Sequence, residues 1–189
     1  MILLAAVLLS LGLAWLRGGD LLRLGRLSFR FPFMIFAGLL LQLVIFSSWG
    51  RLLLGDAGLA GLVHVASLVL VALAAGLNHR LPGLKFIGVG LLMNLLVIAA
   101  NGGYMPVHLD SVQAAGFSDV AEILARGDTY EKSIVLDGRT RLGFLADVFA
   151  VPKPLPLSGV FSPGDVVVSL GVFWFFQEIM VARPPKPKP

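Results

Sequence analysis

Long apolar runs alternate with short polar segments along the chain. Five runs are close enough to the roughly 20 residues that cross a bilayer to predict membrane-spanning helices. They are Ile2–Leu16, Phe31–Trp49, Ala57–Leu77, Leu84–Ala100 and Val166–Ala182. Arg17 follows the first run, where a secretory signal would have a small-residue cleavage site, so we interpret that run as a retained span. The fold class expected is therefore an all-α membrane protein, a single bundle of five transmembrane helices over residues 1–182.

Composition agrees with a bilayer environment. The chain is 57% hydrophobic and only 14% charged, with a mean hydropathy of +0.89, whereas soluble domains carry about 25% charged residues. The absence of Cys excludes disulfides and thiolate chemistry. The sequence has neither a glycine-rich phosphate loop nor basic patches interleaved with aromatics, so no nucleic-acid partner is expected. The expected partner is membrane lipid.

The polar segments predict an orientation. Nine of the 15 Lys and Arg residues, but only two of the 11 acids, fall in three segments on one side of the predicted bundle. The basic residues are Arg17, Arg23, Arg26, Arg30, Arg80, Lys85, Arg183, Lys186 and Lys188. The positive-inside rule places this side in the cytoplasm and the N-terminus outside. We expect a protein of the cytoplasmic membrane whose proline-rich tail, residues 183–189, is disordered.

The remaining segment, residues 101–164, is an extracytoplasmic insertion long enough to carry a function. Within it we expect a short helix capped by Ser118 and ending before Gly127. Ser133–Leu136 and Arg139–Leu142, joined by Asp-Gly, predict a β-hairpin. Pro152, Pro154 and Pro156 predict a stiff, extended stretch after it.

Polar side chains interrupt three of the spans. Gln42, His64 and Asn94 each lie about 10 Å below the predicted outer end of their helix. They outline either a substrate-binding polar pocket that opens outward or interhelical hydrogen bonds that hold the bundle together. The three His residues are too dispersed for a metal site, and neither metal nor cofactor is expected.

Two aspartates attract the most chemical interest. Asp147 lies late in the insertion and Asp165 lies where the last span begins, so both are expected at the outer membrane edge. Two neighbouring carboxyls cannot both ionise easily, which yields one general acid and one general base. The alternatives are structural. Asp165 fits a capping box with Ser162, and Asp147 could be an exposed loop carboxylate paired with a nearby Arg.

The catalytic interpretation is supported by a resemblance. Asp147 within Gly143-Phe-Leu-Ala-Asp-Val-Phe, and Asp165 within Phe161-Ser-Pro-Gly-Asp, resemble the catalytic end of the bacterial lipoprotein signal peptidases. This resemblance implies an aspartyl peptidase that acts on membrane-anchored peptides or proteins. It also implies that Asn101, in Ala100-Asn-Gly-Gly, corresponds to the Gly-Asn motif at the end of that family's preceding span. In a functional interpretation Asn101 would orient an aspartate or a substrate carbonyl. The pattern departs from the family at Ser162 and Gly164, which replace Asn and Ala.

Taken whole, the sequence resembles a family of small bacterial multi-span proteins of unknown function. Asn101-Gly-Gly-Tyr-Met-Pro106 and the pattern from Leu145 to Asp165 carry this likeness. It implies no activity. The sequence therefore leaves open whether the chain is a membrane-embedded aspartyl hydrolase or a non-enzymatic module. Such a module would bind a protein, peptide or lipid through its outer loop.

Overall fold

The computed structural model describes residues 2–47, 50 and 57–181. It is mostly helical, and a helix occupies each of the five predicted spans. The helices are α1 (Ile2–Leu16), α2 (Pro32–Ile45), α3 (Ala57–Leu77), α4 (Leu84–Ala100), α5 (Leu109–Ala114), α6 (Ser118–Ala125) and α7 (Pro163–Met180). Short 3₁₀ helices cover Leu21–Arg26 and Gly143–Leu145. The predicted tail and residues 49 and 182 lie outside the described residues.

The five long helices pack side by side in the order α1, α7, α4, α3, α2. The central contact, between α4 and α7, is made close by glycines spaced seven residues apart on each helix. A Cβ on Gly90 would lie 2.5 Å from the Gly164 carbonyl oxygen, and one on Gly171 would lie 2.8 Å from that of Gly83. Small residues at these positions therefore let the two backbones approach each other.

Length and composition single out one helix as able to cross a membrane. In the described residues this is Gly58–Leu77, of which only 28% is buried inside the protein. Ile2–Leu16, Pro32–Ile45 and Leu84–Ala100 are apolar but shorter. The prediction of five helices is thus confirmed as helical structure, whereas spanning by all five is not established by their lengths.

The insertion folds into a small mixed unit at one end of the bundle. Strands β1 (Met105–Val107) and β2 (Ser133–Val135) pair in parallel, and β3 (Phe149–Val151) and β4 (Gly159–Phe161) pair antiparallel. Val107, Val112, Ala121 and Leu124 form its buried core. A second cluster, which includes Val97 of α4 and Leu145, joins this unit to the bundle.

The predicted hairpin at residues 133–142 is wrong. β2 pairs in parallel with β1, and residues 139–142 form no strand. The Asp137 side chain instead accepts a hydrogen bond from the Arg139 amide at 2.9 Å, which closes a local turn. β2 comes from a distant part of the chain and pairs with the edge of β1, because the backbone N–H and C=O groups of β1 require hydrogen-bond partners.

The predicted short helix is present, with two differences. Its N-cap is Phe117 rather than Ser118, and that cap has no side-chain hydrogen bond. The helix is preceded by α5, which the sequence pattern did not predict. At its other end Gly127 takes a left-handed conformation (φ +86°), as expected for a glycine that terminates a helix.

Candidate functional site

The candidate site begins at the first turn of α7. Ser162 is its N-cap: the Ser162 hydroxyl accepts a hydrogen bond from the Asp165 amide at 3.0 Å. In return, Asp165 Oδ2 accepts from the Ser162 amide at 3.2 Å. Pro163 occupies the first helical position, where its missing N–H costs nothing. The capping box expected from the sequence is therefore confirmed.

Asn94 of α4 closes this cap into a ring. Its Nδ2 donates to Asp165 Oδ1 at 2.8 Å, and its Oδ1 accepts from the Ser162 hydroxyl at 2.9 Å. Both oxygens of the Asp165 carboxylate thus accept hydrogen bonds from this ring. Such bonds fix the position and orientation of the carboxylate relative to two helices.

Gly164 allows the ring to form. A Cβ at this position would collide with Asn94 Oδ1 and would lie 2.9 Å from the Gly90 carbonyl oxygen. The glycine in the Ser-Pro-Gly-Asp sequence therefore has a packing role.

Asp147 is held by its backbone at the edge of β1. Its amide donates to the Pro106 carbonyl at 2.9 Å, and its carbonyl accepts from the His108 amide at 3.1 Å. These bonds form an isolated parallel bridge between Asp147 and Val107. The two bonds fix the backbone of Asp147 against β1.

The carboxyl of Asp147 lies in an environment that disfavours its charge. Within the described part of the chain, its Oδ1 is buried and has no hydrogen-bond partner. Burial, and next the negative charge of Asp165, raise the pKa of Asp147 to about 7, although Lys132 acts in the opposite direction. Burial is therefore the main reason that this carboxyl favours its protonated form.

The proline-rich stretch brings the two aspartates to the same region. The chain that leaves Asp147 enters β3, turns through residues 152–158 and returns as β4, which leads directly into Ser162. The Phe149 and Phe161 rings stack across this hairpin, with centroids 5.3 Å apart. The hairpin thus reverses the direction of the chain between Asp147 and Asp165, which are 18 positions apart in the sequence.

The other candidate residues have separate contacts. Asn101 donates to the Val97 and Arg141 carbonyls at 2.7 and 2.8 Å and accepts from the Arg141 amide at 2.9 Å. It connects the small mixed unit of the insertion to the end of α4. His64 Nδ1 lies 2.6 Å from the Gly103 carbonyl oxygen, and His64 is buried. Gln42 is half-buried on α2. His64 therefore contacts the turn after α4, whereas Asn94 contacts the start of α7.

Sequence reasoning missed how Asn94 meets Asp165, because that contact joins helices far apart in the chain. It also missed the backbone bridge that positions Asp147. The glycines at 90 and 164 were the available signal, since they mark close approach. In the described residues no group of three His, Asp or Glu side chains is placed to hold a metal ion. The chemistry that this arrangement offers is proton transfer between carboxyls and a neighbouring group.

Comparisons with known proteins give a family without an activity. An uncharacterised protein of Thermotoga maritima is 30% identical over 99 residues, which cover 52% of this chain. The match spans about half (53%) of that relative's own length. No solved structure matches significantly. The profile of DUF5317, a family of unknown function, matches residues 26–177, a range that includes Asn94 and both aspartates. The chain therefore belongs to the DUF5317 family of unknown function.

Proposed function

We propose that this chain is a multi-span protein of a bacterial membrane and that its five long helices all cross the bilayer. Large apolar side chains cover the outside of the bundle: Leu9 of α1 is 69% exposed, Phe36 of α2 71% and Leu62 of α3 66%. In water such surface would be a strong aggregation liability, whereas lipid tails solvate it. Helices of 14 to 17 residues can cross where the bilayer thins locally.

The polar contacts at one end of the bundle support a common cytoplasmic face. The Asp20 amide donates to the Met180 carbonyl at 3.0 Å, and the Arg30 amide donates to Asn78 Oδ1 at 2.7 Å. These contacts join the basic segment after α1 to the end of α7 and to the residues that follow α3. The insertion lies at the opposite end of the bundle. Because basic segments usually face the cytoplasm, the site in the insertion would face outward.

We further propose that the site is an acid–base pair for hydrolysis at the outer membrane edge. The buried, unpartnered oxygen of Asp147, in a chain that also holds Asp165 by hydrogen bonds to both oxygens, is the observation that carries this proposal. Burial raises the pKa of Asp147 to about 7. A carboxyl that keeps its proton near neutral pH is suited to act as a general acid.

In the proposed reaction Asp165 accepts a proton from water as the water oxygen adds to a substrate carbonyl. Asp147 then donates its proton to the leaving nitrogen as the C–N bond breaks. The products are a carboxylic acid and an amine. A proton then passes from Asp165 to Asp147 through water and restores the starting pair, so the atoms and protons balance without a cofactor. Asn94 and Ser162 act as positioning residues because they orient Asp165. The substrate proposed is a membrane-anchored peptide or protein, as the signal peptidase resemblance implies.

Proteoliposomes that contain the full chain and a library of single-span peptides, analysed by mass spectrometry of the products, test this proposal. Cleavage is expected with the unaltered protein and is expected to be lost in both Asp147→Asn and Asp165→Asn. Asp128→Asn is the control, because Asp128 is an exposed loop carboxylate. Cleavage that persists in both site variants would contradict the assignment.

A specific observation favours a second candidate, a binding module. Phe144 on the small mixed unit of the insertion is 73% exposed and Leu155 is 55% exposed, which is unusual for a polar aqueous surface. Photo-crosslinking in intact cells from position 144, compared with position 128, tests this alternative. Binding would be favoured over hydrolysis if discrete adducts formed from position 144 but not from position 128, and if the Asp147→Asn variant formed the same adducts.

A further inference from the structure

An apolar groove of about 580 Å³ runs between α3 and α4, away from the aspartate pair. Its walls are Val69, Leu73 and Gly76 of α3 and Gly88, Val89 and Leu92 of α4. Leu73, Val89 and Leu92 are all exposed, so the groove opens to the surroundings of the bundle.

The groove has the length of one bilayer leaflet. On α3 and the turn that follows it runs from Val69 to His79, and on α4 from Leu84 to Leu95. At helical rise these stretches are about 15 Å long, which is about half of a hydrocarbon core of roughly 30 Å. An acyl chain of a single leaflet therefore fits along it.

One end of the groove is cationic. Lys85, exposed in the first turn of α4, lines the groove together with His79. The first turn of α4 has no acidic residue, and its N-cap Gly83 provides no side-chain hydrogen bond. The positive helix terminus and the Lys85 charge thus add together at this end and favour an anion.

We propose that this groove binds one anionic phospholipid of the cytoplasmic leaflet, with an acyl chain between α3 and α4 and the headgroup phosphate at Lys85. The proposal rests on the proposed membrane placement and is independent of the hydrolase assignment.

Gly76 provides a way to block the groove. Gly76 lines the groove, and a Cβ at this position would meet nothing within 4 Å, so a larger side chain starts in open space. Replacing glycine within a helix also removes a helix-propensity penalty. Gly76→Leu is therefore expected to fold and to fill the groove.

Native mass spectrometry of the full chain in detergent, titrated with phosphatidylglycerol or with phosphatidylcholine of the same acyl chains, tests the proposal. We expect phosphatidylglycerol to bind more tightly. Lys85→Gln should weaken its binding about fivefold and leave phosphatidylcholine unchanged. Gly76→Leu should weaken binding of both lipids. Arg26→Gln, an equal loss of charge at an exposed position on the same face, should change neither.

Three results would overturn the lipid site. Equal effects of Lys85→Gln and Arg26→Gln would show that general charge controls binding. Unchanged binding in both Gly76→Leu and Val89→Trp, a second groove-filling variant, would show that the groove is not used. A dimer that Gly76→Leu dissociates would assign the groove to a second copy of the chain. Recovery of the unaltered chain from the aqueous fraction of cells would instead contradict the membrane placement itself.

Discussion

At the scale of single residues, two aspartates of the same chain have opposite environments. Asp165 accepts hydrogen bonds on both oxygens, from Asn94 and from the Ser162 amide. Asp147 has a buried oxygen that lacks a partner among the described residues. Hydrogen bonds to a carboxylate favour its charge, whereas burial without them opposes it. This asymmetry is what separates the proposed base from the proposed acid.

Asp147 should make the stability of the protein depend on pH. Its pKa is raised from 3.8 to about 7, so between these values the folded chain binds more protons than the unfolded chain. The contribution to the free energy of unfolding is therefore fully present below about pH 4 and is lost as the pH rises through about 7. The expected change is of the order of 2–4 kcal/mol. Asp147→Asn should remove this slope, measured by thermal unfolding across pH 4–8 in detergent, while Asp128→Asn retains it. An identical slope in Asp147→Asn would contradict the burial of this carboxyl.

At the scale of elements, structures that depend on neighbouring residues in the sequence were predicted well. Pairings between distant segments of the chain were not. The apolar runs gave α1, α3 and α4 with the bounds observed, and Ser162-Pro-Gly-Asp165 gave the capping box, because each depends on neighbours in sequence. The β1–β2 pairing depends on strands that are distant in the chain, and the Asp-Gly turn signal misled the strand prediction. The Asn94–Asp165 contact was missed for the same reason.

A Gly→Ala substitution should have opposite effects at Gly164, in the close contact of α4 with α7, and at Gly76 of α3, which faces open space. In Gly164→Ala the new methyl group would meet Asn94 and the Gly90 carbonyl, so we expect a loss of about 1–3 kcal/mol. In Gly76→Ala it would meet nothing within 4 Å, so a gain of about 0.5–1 kcal/mol is expected from helix propensity. Thermal unfolding of both variants measures the difference. Equal stability of the two variants would mean that α4 and α7 are not in close contact.

At the scale of the whole molecule, the bundle of five helices has one basic end. Its opposite end carries the more acidic insertion, which forms the small mixed unit. The two central helices, α4 and α7, carry Asn94 and Asp165 at the structured end. The glycines that bring these helices together therefore also set the geometry of the candidate site. The contact between α4 and α7 thus contributes both to the packing of the bundle and to the geometry of the candidate site.

The proposed orientation can be checked with reporters of sidedness. A reporter fused after Pro189 should show cytoplasmic behaviour, and one inserted at the exposed Gly138 should show extracytoplasmic behaviour. A reporter placed at Gly25, in the basic segment, is the matched control and should be cytoplasmic. The opposite pattern would place the aspartates on the inner face.

The most direct test of the central claim is an infrared titration of the Asp147 carboxyl stretch in the full-length protein, assigned by its loss in Asp147→Asn. We expect a pKa of about 7 for Asp147 in the unaltered protein. In Asp165→Asn the pKa should fall, because the neighbouring negative charge is removed, yet stay above 3.8, because burial remains the larger cause. An Asp147 pKa near 3.8 in the unaltered protein, or one that Asp165→Asn leaves unchanged, would contradict the claim that the two aspartates form one unit.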